Sequence, residues 1–261
     1  MLGGDNVDLN KKAIKEYDVK IFRTPDGYTA DIVIFTLDQK KIKEHSPAEF
    51  EIKVLLIKRA MTNAEGKTNI EAGRWAIPGG FIQETETAYE AAVRELDEET
   101  NVSEIKVKHF GVYDRPGRDP RGWIISNAHY AIVKIDALEN MVAKDDAMDV
   151  RLFTMEELKD EKLAFDHEEI LHDAFVELRN ELLQTTIAKE FLPKEFTYSE
   201  LQGILKLVTD EYHIHNSQSF ARKIKKLKFI EQVEGKKTKR NSKIPAQLYR
   251  FNDEKVNPNI Y

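Results

Sequence analysis

The sequence contains no cysteine. Disulfides, thiolate zinc sites and cysteine nucleophiles are therefore excluded, and any bound metal must sit on oxygen or imidazole. No stretch approaches the run of roughly 20 apolar residues that crosses a membrane, and the start MLGGDNVDLNKKAIKEYDVK lacks an apolar core flanked by basic residues. A cytoplasmic protein with no membrane partner is expected. Internal repeats and low-complexity tracts are also missing.

What is present is a chain of 261 residues, 41% hydrophobic, long enough for two modest domains with buried cores. The formal net charge of −6 conceals an asymmetry. Residues 197–251 hold twelve Lys and Arg against five Asp and Glu, and the last ten residues carry −1, which leaves −12 on the first 196. An acidic body joined to a basic end points to two partners of different chemistry.

The segments YTADIVIFTLD, FEIKVLLIKRA and GWIISNAHYAIVKI read as strands from their β-branched and aromatic content. TETAYEAAVRELDEET and DHEEILHDAFVELRNELLQ carry helical periodicity, with Asp166 placed to cap the second. The pattern changes near AKEFLPKEFTYSE, which sets a boundary at Leu192–Phe196 and two domains, 1–193 with a core of about 25–183, and 194–261.

The most informative stretch is GGFIQETETAYEAAVRELDEETNV, residues Gly79 to Val102. On a helix Glu98 and Glu99 fall at i+3 and i+4 from Glu95, so three carboxylates project toward one side and repel. Arg94 neutralises part of that charge. One or more hard divalent cations, Mg²⁺ or Mn²⁺, would compensate it directly. A solvated acidic helix face is the competing explanation.

The spacing of the whole segment resembles the Nudix box: Gly, five residues, Glu, seven residues, then Arg-Glu-hydrophobic-any-Glu-Glu-any-Gly-hydrophobic. Gly80, Glu86, Arg94, Glu95, Leu96, Glu98, Glu99 and Val102 fall on required positions. Asn101 stands where the family has glycine, and asparagine is the residue best able to replace glycine in a left-handed helix end. The resemblance implies a loop–helix–loop on a mixed sheet, an α/β/α sandwich, and hydrolysis of a nucleoside diphosphate linked to another moiety. By the same resemblance Glu95, Glu98 and Glu99 hold catalytic metals, Glu86 contributes through water or a further metal, and Arg94 orients the glutamates. Gly79 and Gly80 permit close backbone approach to substrate. Trp75, in the family-like RWAIPGG, fits either the core or a base-stacking wall.

Downstream, Pro116 and the run RDPRGW look like the ADP-ribose type of Nudix hydrolase. Arg115, Arg118 and Arg121 suit phosphate or ribose oxygens, or else a solvated turn. Asp145, Asp146 and Asp149 offer carboxylates outside the box in what reads as a loop, where surface roles are commoner than catalysis. His129, His167, His213 and His215 read as packed or solvated.

In the basic end, FTYSELQGILKLVTDEY reads as a helix capped by Thr197 or Ser199, followed by a turn at HIHN. A second helix, SQSFARKIKKLKFI, places Phe220, Ile224 and Leu227 on one face and Arg222, Lys223, Lys225 and Lys226 on the rest. Two strands flanking a loop with Lys236, Lys237, Lys239, Arg240 and Lys243 complete the layout of a winged helix-turn-helix. The segments FTYSELQ, SFARKIKKL and PAQLYRF are similar to the C-terminal part of Nudix-related regulators of NAD metabolism. That resemblance implies double-stranded DNA as a partner, a homodimer, and DNA-binding roles for Ser217, Arg222, Lys223, Lys226, Lys237, Lys239 and Arg240. Two expectations follow, an ADP-ribose pyrophosphatase with a DNA-binding appendage and an ADP-ribose-sensing regulator without turnover, and one protein can be both.

Overall fold

The computed structural model describes residues 4–18, 23–40, 46, 49–63, 66–103, 105–144 and 147–254. An exposed helix, α1 (Gly4–Glu16), precedes a seven-stranded mixed sheet. Its strands are β1 (Gly27–Lys40), β2 (Glu49–Arg59), β3 (Trp75–Ala76), β4 (Gly79–Phe81), β5 (Lys108–Tyr113), β6 (Ile124–Lys134) and β7 (Ala147–Thr154). The main path runs β3-β2-β1-β6-β5, with β4 paired to β1 and β7 to β2. β1 is the spine of the sheet. It lies antiparallel to β2 and β4 and parallel to β6, and its residues from Thr29 to Leu37 are buried without interruption, as expected of a strand covered on both faces.

Alternation along β1 separates two cores. Val33, Phe35 and Leu37 face α3 (His167–Gln184), which contributes Ile170, Leu171, Ala174, Leu178 and Leu182. Ala30, Ile32 and Ile34 face α2 (Ala88–Thr100), which contributes Ala91, Ala92 and Leu96. The expected α/β/α sandwich is present, and Trp75 is a core residue packed edge-on to Phe153 at 4.7 Å. Asp166 occupies the N-cap position of α3 but its side chain does not cap. Its carboxylate is drawn instead to Arg118, with bonds of 2.8 and 2.6 Å, because a buried guanidinium offers stronger charged donors than a backbone N–H.

The C-terminal region comprises α4 (Tyr198–Leu205), α5 (Tyr212–His215), α6 (Ser217–Ile224) and the hairpin of β8 (Ile230–Thr238) and β9 (Ala246–Phe251). This is the winged-helix layout. Thr197 caps α4 through a full capping box with Glu200, and the HIHN segment lies within a single helical turn and its cap rather than a bare turn, since Asn216 N–H reaches the Tyr212 carbonyl at 2.8 Å. Phe196 exchanges two backbone bonds of 2.8 Å with Tyr249, adding a third short strand to the hairpin. One apolar cluster runs from Val33 and Ile52 of the sheet through Ala188, Leu192 and Phe196 to Leu201, Phe220 and Tyr249.

The wing is fastened by one buried carboxylate. Glu200 accepts two bonds from Arg240, at 2.7 and 2.6 Å, one from Asn241 at 2.7 Å and one from the Thr197 N–H at 2.7 Å. Burial opposes its ionisation, but the Arg240 bonds and the Thr197 N–H outweigh that and hold its pKa below the ordinary glutamate value of 4.5. Glu200→Ala should therefore cost about 2 kcal/mol, because it leaves the buried Thr197 N–H at the helix start without its acceptor and removes the carboxylate that Arg240 and Asn241 share. A depressed folded-state pKa gives stability that is present above the unfolded value and lost as pH falls through the folded one. Urea midpoints of parent and variant should accordingly converge on acidification below pH 4.5; a gap that stays constant from neutral pH into that range would contradict the assignment.

Candidate active site

The acidic segment folds as the strand β4, a loop and α2. Thr87 starts the helix with a capping box: its Oγ1 accepts the Glu90 N–H at 3.2 Å and Glu90 accepts the Thr87 N–H at 2.8 Å. Asn101 ends it in the left-handed conformation, φ 59°, with its N–H on the Asp97 carbonyl at 2.9 Å. Its side chain does what glycine cannot, donating to the Asn140 carbonyl at 3.2 Å and accepting from Lys144 at 2.5 Å.

Arg94 organises the carboxylates. Its guanidinium holds Glu86 with two bonds of 2.9 and 2.6 Å, and reaches Glu95 at 2.7 Å, Glu98 at 2.8 Å and the Phe81 carbonyl at 3.1 Å. Arg94, with help from the Gln83 N–H, brings the Glu86 pKa down to about 2. Glu99 takes a different partner. It is buried and accepts the Gly79 N–H at 2.9 Å. Burial pushes its pKa well up, and burial raises that of Glu95 against the pull of Arg94. Glu98 is the most open of the three, its side chain 45% exposed.

Among the described residues no three carboxylate or imidazole groups already surround one point. The donor set nevertheless fits a hard divalent cation: Glu95, Glu98 and Glu99 present carboxylate oxygens on one helix, and two of them carry charge that burial penalises and a cation would relieve. Gly80 makes room for this. A Cβ there would lie 2.3–2.5 Å from the Glu95 carboxyl. A Cβ on Gly79 would instead strike the Asp31 side chain at 2.4 Å and the β1 backbone at 2.5 and 2.8 Å.

Beside Gly79 and Gly80 lies a narrow cationic cleft lined by Arg59, Arg118, Arg121 and Phe165. Its volume is about 40 Å³, far below the roughly 300–1,000 Å³ of pockets that enclose a small-molecule ligand. Arg118 is buried on Asp166, and Arg121 is paired with Asp119 at 2.6 Å. Arg115 does not line the cleft; it is exposed and bridges to Glu169 at 2.9 Å. Sequence reading missed Arg59, Phe165, and the buried Asp31, whose carboxylate accepts a short bond from the Ser126 hydroxyl. Asp145 and Asp146 lie outside the described residues, and Asp149 is an exposed member of β7, bonded to the Val150 N–H, rather than a loop residue. Of the four histidines named from the sequence, two are packed: His167 Nδ1 accepts the Ile77 N–H at 2.9 Å, His129 is buried, and burial lowers the pKa of both, while His213 is partly exposed and His215 exposed.

α6 is shorter than the run SQSFARKIKKLKFI suggests, ending at Ile224; Arg222 is exposed on it and Lys226 in the turn that follows, while Ser217 donates to Gln202 at 3.2 Å. Lys223 is half-buried, 3.3 Å from His213 Nε2, with its pKa lowered by burial. Lys237 and Lys239 are exposed on the hairpin, whereas the Arg240 guanidinium is held by Glu200.

Residues 29–174 match the NUDIX domain family and residues 188–251 the NrtR DNA-binding winged helix domain. The chain is 28% identical over 225 residues to the ADPR responsive transcriptional repressor NtrR of Acinetobacter baylyi, covering 85% of this chain and 81% of that protein. It is 36% identical over 167 residues to the ADP-ribose pyrophosphatase of Methanocaldococcus jannaschii, covering 63% and 83%. Among solved structures, a mutT/nudix family protein of Listeria innocua is 52% identical with a TM-score of 0.53, covering 62% of this chain and 99% of that one. Shewanella oneidensis NrtR complexed with a 27mer DNA is 26% identical with a TM-score of 0.64, covering 86% and 93%. The NUDIX domain of that protein complexed with ADP ribose is 26% identical with a TM-score of 0.52, covering 64% and 97%.

The two adjacent glycines should respond differently to substitution. Gly79→Ala meets backbone that cannot yield and should cost about 2 kcal/mol or more, whereas Gly80→Ala meets the end of a side chain and should cost under about 1 kcal/mol. Urea unfolding checks this, and equal losses at the two positions would show that the Glu95 carboxyl is not where the structure has it.

Proposed function

The chain belongs to the Nudix family, and on that premise we propose that it hydrolyses the pyrophosphate of a nucleoside diphosphate derivative, ADP-ribose foremost, to AMP and ribose 5-phosphate. Its C-terminal winged helix, residues 194–261, binds double-stranded DNA as part of a homodimer. The observation that carries the catalytic half is the Arg94-centred cluster of Glu86, Glu95 and Glu98 beside Glu99, set against Gly79–Gly80 and next to a cleft of arginines. Acid and cation stand side by side, as a metal-bound diphosphate requires.

Glu95, Glu98 and Glu99 hold Mg²⁺ or Mn²⁺ in this reading, with Glu86 in support. Bound there, the cation neutralises pyrophosphate oxygens and makes water nucleophilic near neutral pH. The chain's own groups do the rest. Gly79 and Gly80 let the diphosphate approach the backbone, Arg118 and Arg121 with Arg59 bind its oxygens, and Arg115 lies further out toward the terminal group. Arg94 aims Glu86, Glu95 and Glu98. Water adds to phosphorus and releases its proton to solvent, the bridging P–O bond breaks, and the leaving phosphate takes the electron pair.

The DNA-binding half rests on the surplus of positive charge and on α6. Arg222 and Lys226 face outward to meet the groove and its phosphates, with Ser217 at the helix start and Lys237 and Lys239 on the wing. Lys223 and Arg240 act by holding α6 and the wing in place.

A second reading, a nucleotide sensor without turnover, is favoured by one observation: Arg94 Nη1 already bridges Glu95 and Glu98, two of the three metal ligands. The separating experiment is release of AMP from ADP-ribose with Mg²⁺. Turnover that falls at least about a hundredfold in Glu98→Gln is expected of the enzyme; saturable binding of ADP-ribose with no AMP formed at any metal concentration leaves the sensor. For DNA, Arg222→Ala and Lys226→Ala should each reduce the slope of log affinity against log salt by about 1. Identical slopes in parent and variants would remove α6 from the interface.

A further inference from the structure

We propose that Phe165 is a positioning residue that sets Arg59 and Arg121 as a pair for phosphate oxygens beside Gly79 and Gly80, a role that rests on the ligand reading above. Phe165 has φ 52°, a region that bulky L-residues rarely adopt. It is the first central residue of a turn closed by the His167 N–H on the Ala164 carbonyl at 3.1 Å. Turns with positive φ at that place ordinarily use glycine. A phenylalanine kept at a glycine position is backbone strain that the side chain must justify.

The ring's surroundings say what it does. The Arg59 guanidinium lies 5.1 Å from its centroid and that of Arg121 5.2 Å. These arginines come from distant parts of the chain, the end of β2 and the loop before β6. Each is held through its own guanidinium, Arg59 Nε by the Ile70 carbonyl at 2.9 Å and Nη2 by the Asn69 side chain at 3.2 Å, Arg121 Nε and Nη2 by Asp119 at 3.0 and 2.6 Å. With Arg118 they gather three guanidiniums around one small cleft, where Asp166 offsets Arg118 and Asp119 offsets Arg121. The Phe165 ring gives Arg59 and Arg121 a common seat, and the Phe81 ring, 4.8 Å from Arg121, shares in holding the second. An aromatic ring holds a guanidinium without using its N–H donors, so the seat on Phe165 adds position without competing for in-plane bonds. The ring also packs against Ile57, Ala76 and Ala164, which ties it to the sheet.

Titration calorimetry on the full-length protein in EDTA tests this, with ADP-ribose and inorganic pyrophosphate as separate probes. Phe165→Leu keeps apolar bulk without a π face and should weaken both probes about tenfold, whereas Phe165→Trp should stay within about twofold of the parent. Arg121→Gln should cost less affinity in the Phe165→Leu background than in the parent. Phe165→Gly should unfold at a higher temperature than Phe165→Ala, since only glycine is at ease at this φ; the reverse order would remove the strain from the argument and with it the proposal. Leucine binding like the parent, or tryptophan as weakly as leucine, overturns the role. A parent that binds pyrophosphate in a Phe165-dependent way but not ADP-ribose leaves the arginine pair standing and removes ADP-ribose as its ligand; a parent that binds neither probe overturns the pair, while the metal-dependent reaction stands or falls by AMP release with Mg²⁺.

Discussion

Carboxylates a helical turn apart repel, and the site is arranged around the management of that repulsion. Arg94 takes Glu86, Glu95 and Glu98 together, while Glu99 is turned inward to the Gly79 N–H. The price is paid by Glu95 and Glu99, which are held where burial disfavours their charged forms. Such groups bind a cation more strongly than solvated ones, because the cation removes a cost as well as adding an attraction. The cap at Thr87, the left-handed Asn101 and the absence of a Cβ at Gly80 all serve to keep this cluster at its spacing.

Much of this was legible in the sequence because its causes are local. Helix periodicity, a capping residue and a left-handed terminus act within a few residues, so α2, its capping and Asn101 follow from neighbours in the chain. The winged-helix layout followed for the same reason, from short amphipathic runs and a basic hairpin. What escaped reading depends on partners far away in sequence. Asp31 meets Ser126 across 95 positions and Arg118 meets Asp166 across 48. Asp166 illustrates the failure well: residue type and position predict a cap, and a distant guanidinium overrides the local choice. Arg240 and Lys223 show that a basic residue can be engaged within the protein while partly exposed, Arg240 by the buried Glu200 and Lys223 beside His213.

The charge asymmetry between the two halves is not matched by a break in the apolar interior. Ala188, Leu192 and Phe196 carry one continuous cluster from beneath the sheet into the helices that bear the basic face. The acidic and basic ends are thus separated on the surface and joined below it. Glu200 plays for the wing the part that Arg94 plays for the acids, one buried ion gathering several groups of opposite or polar character.

Asp166 stands at the junction of two elements. Its carboxylate grips the arginine at the middle of the loop between β5 and β6, while its backbone begins α3, an 18-residue rod about 27 Å long. The far end of that rod abuts the short turn Ile187–Glu190, whose Ala188 is embedded in the shared interior. Loop and rod are therefore tied by two ion pairs, Arg118 with Asp166 and Arg115 with Glu169. A single rigid element thus spans the distance from the arginine loop to the root of the winged helix.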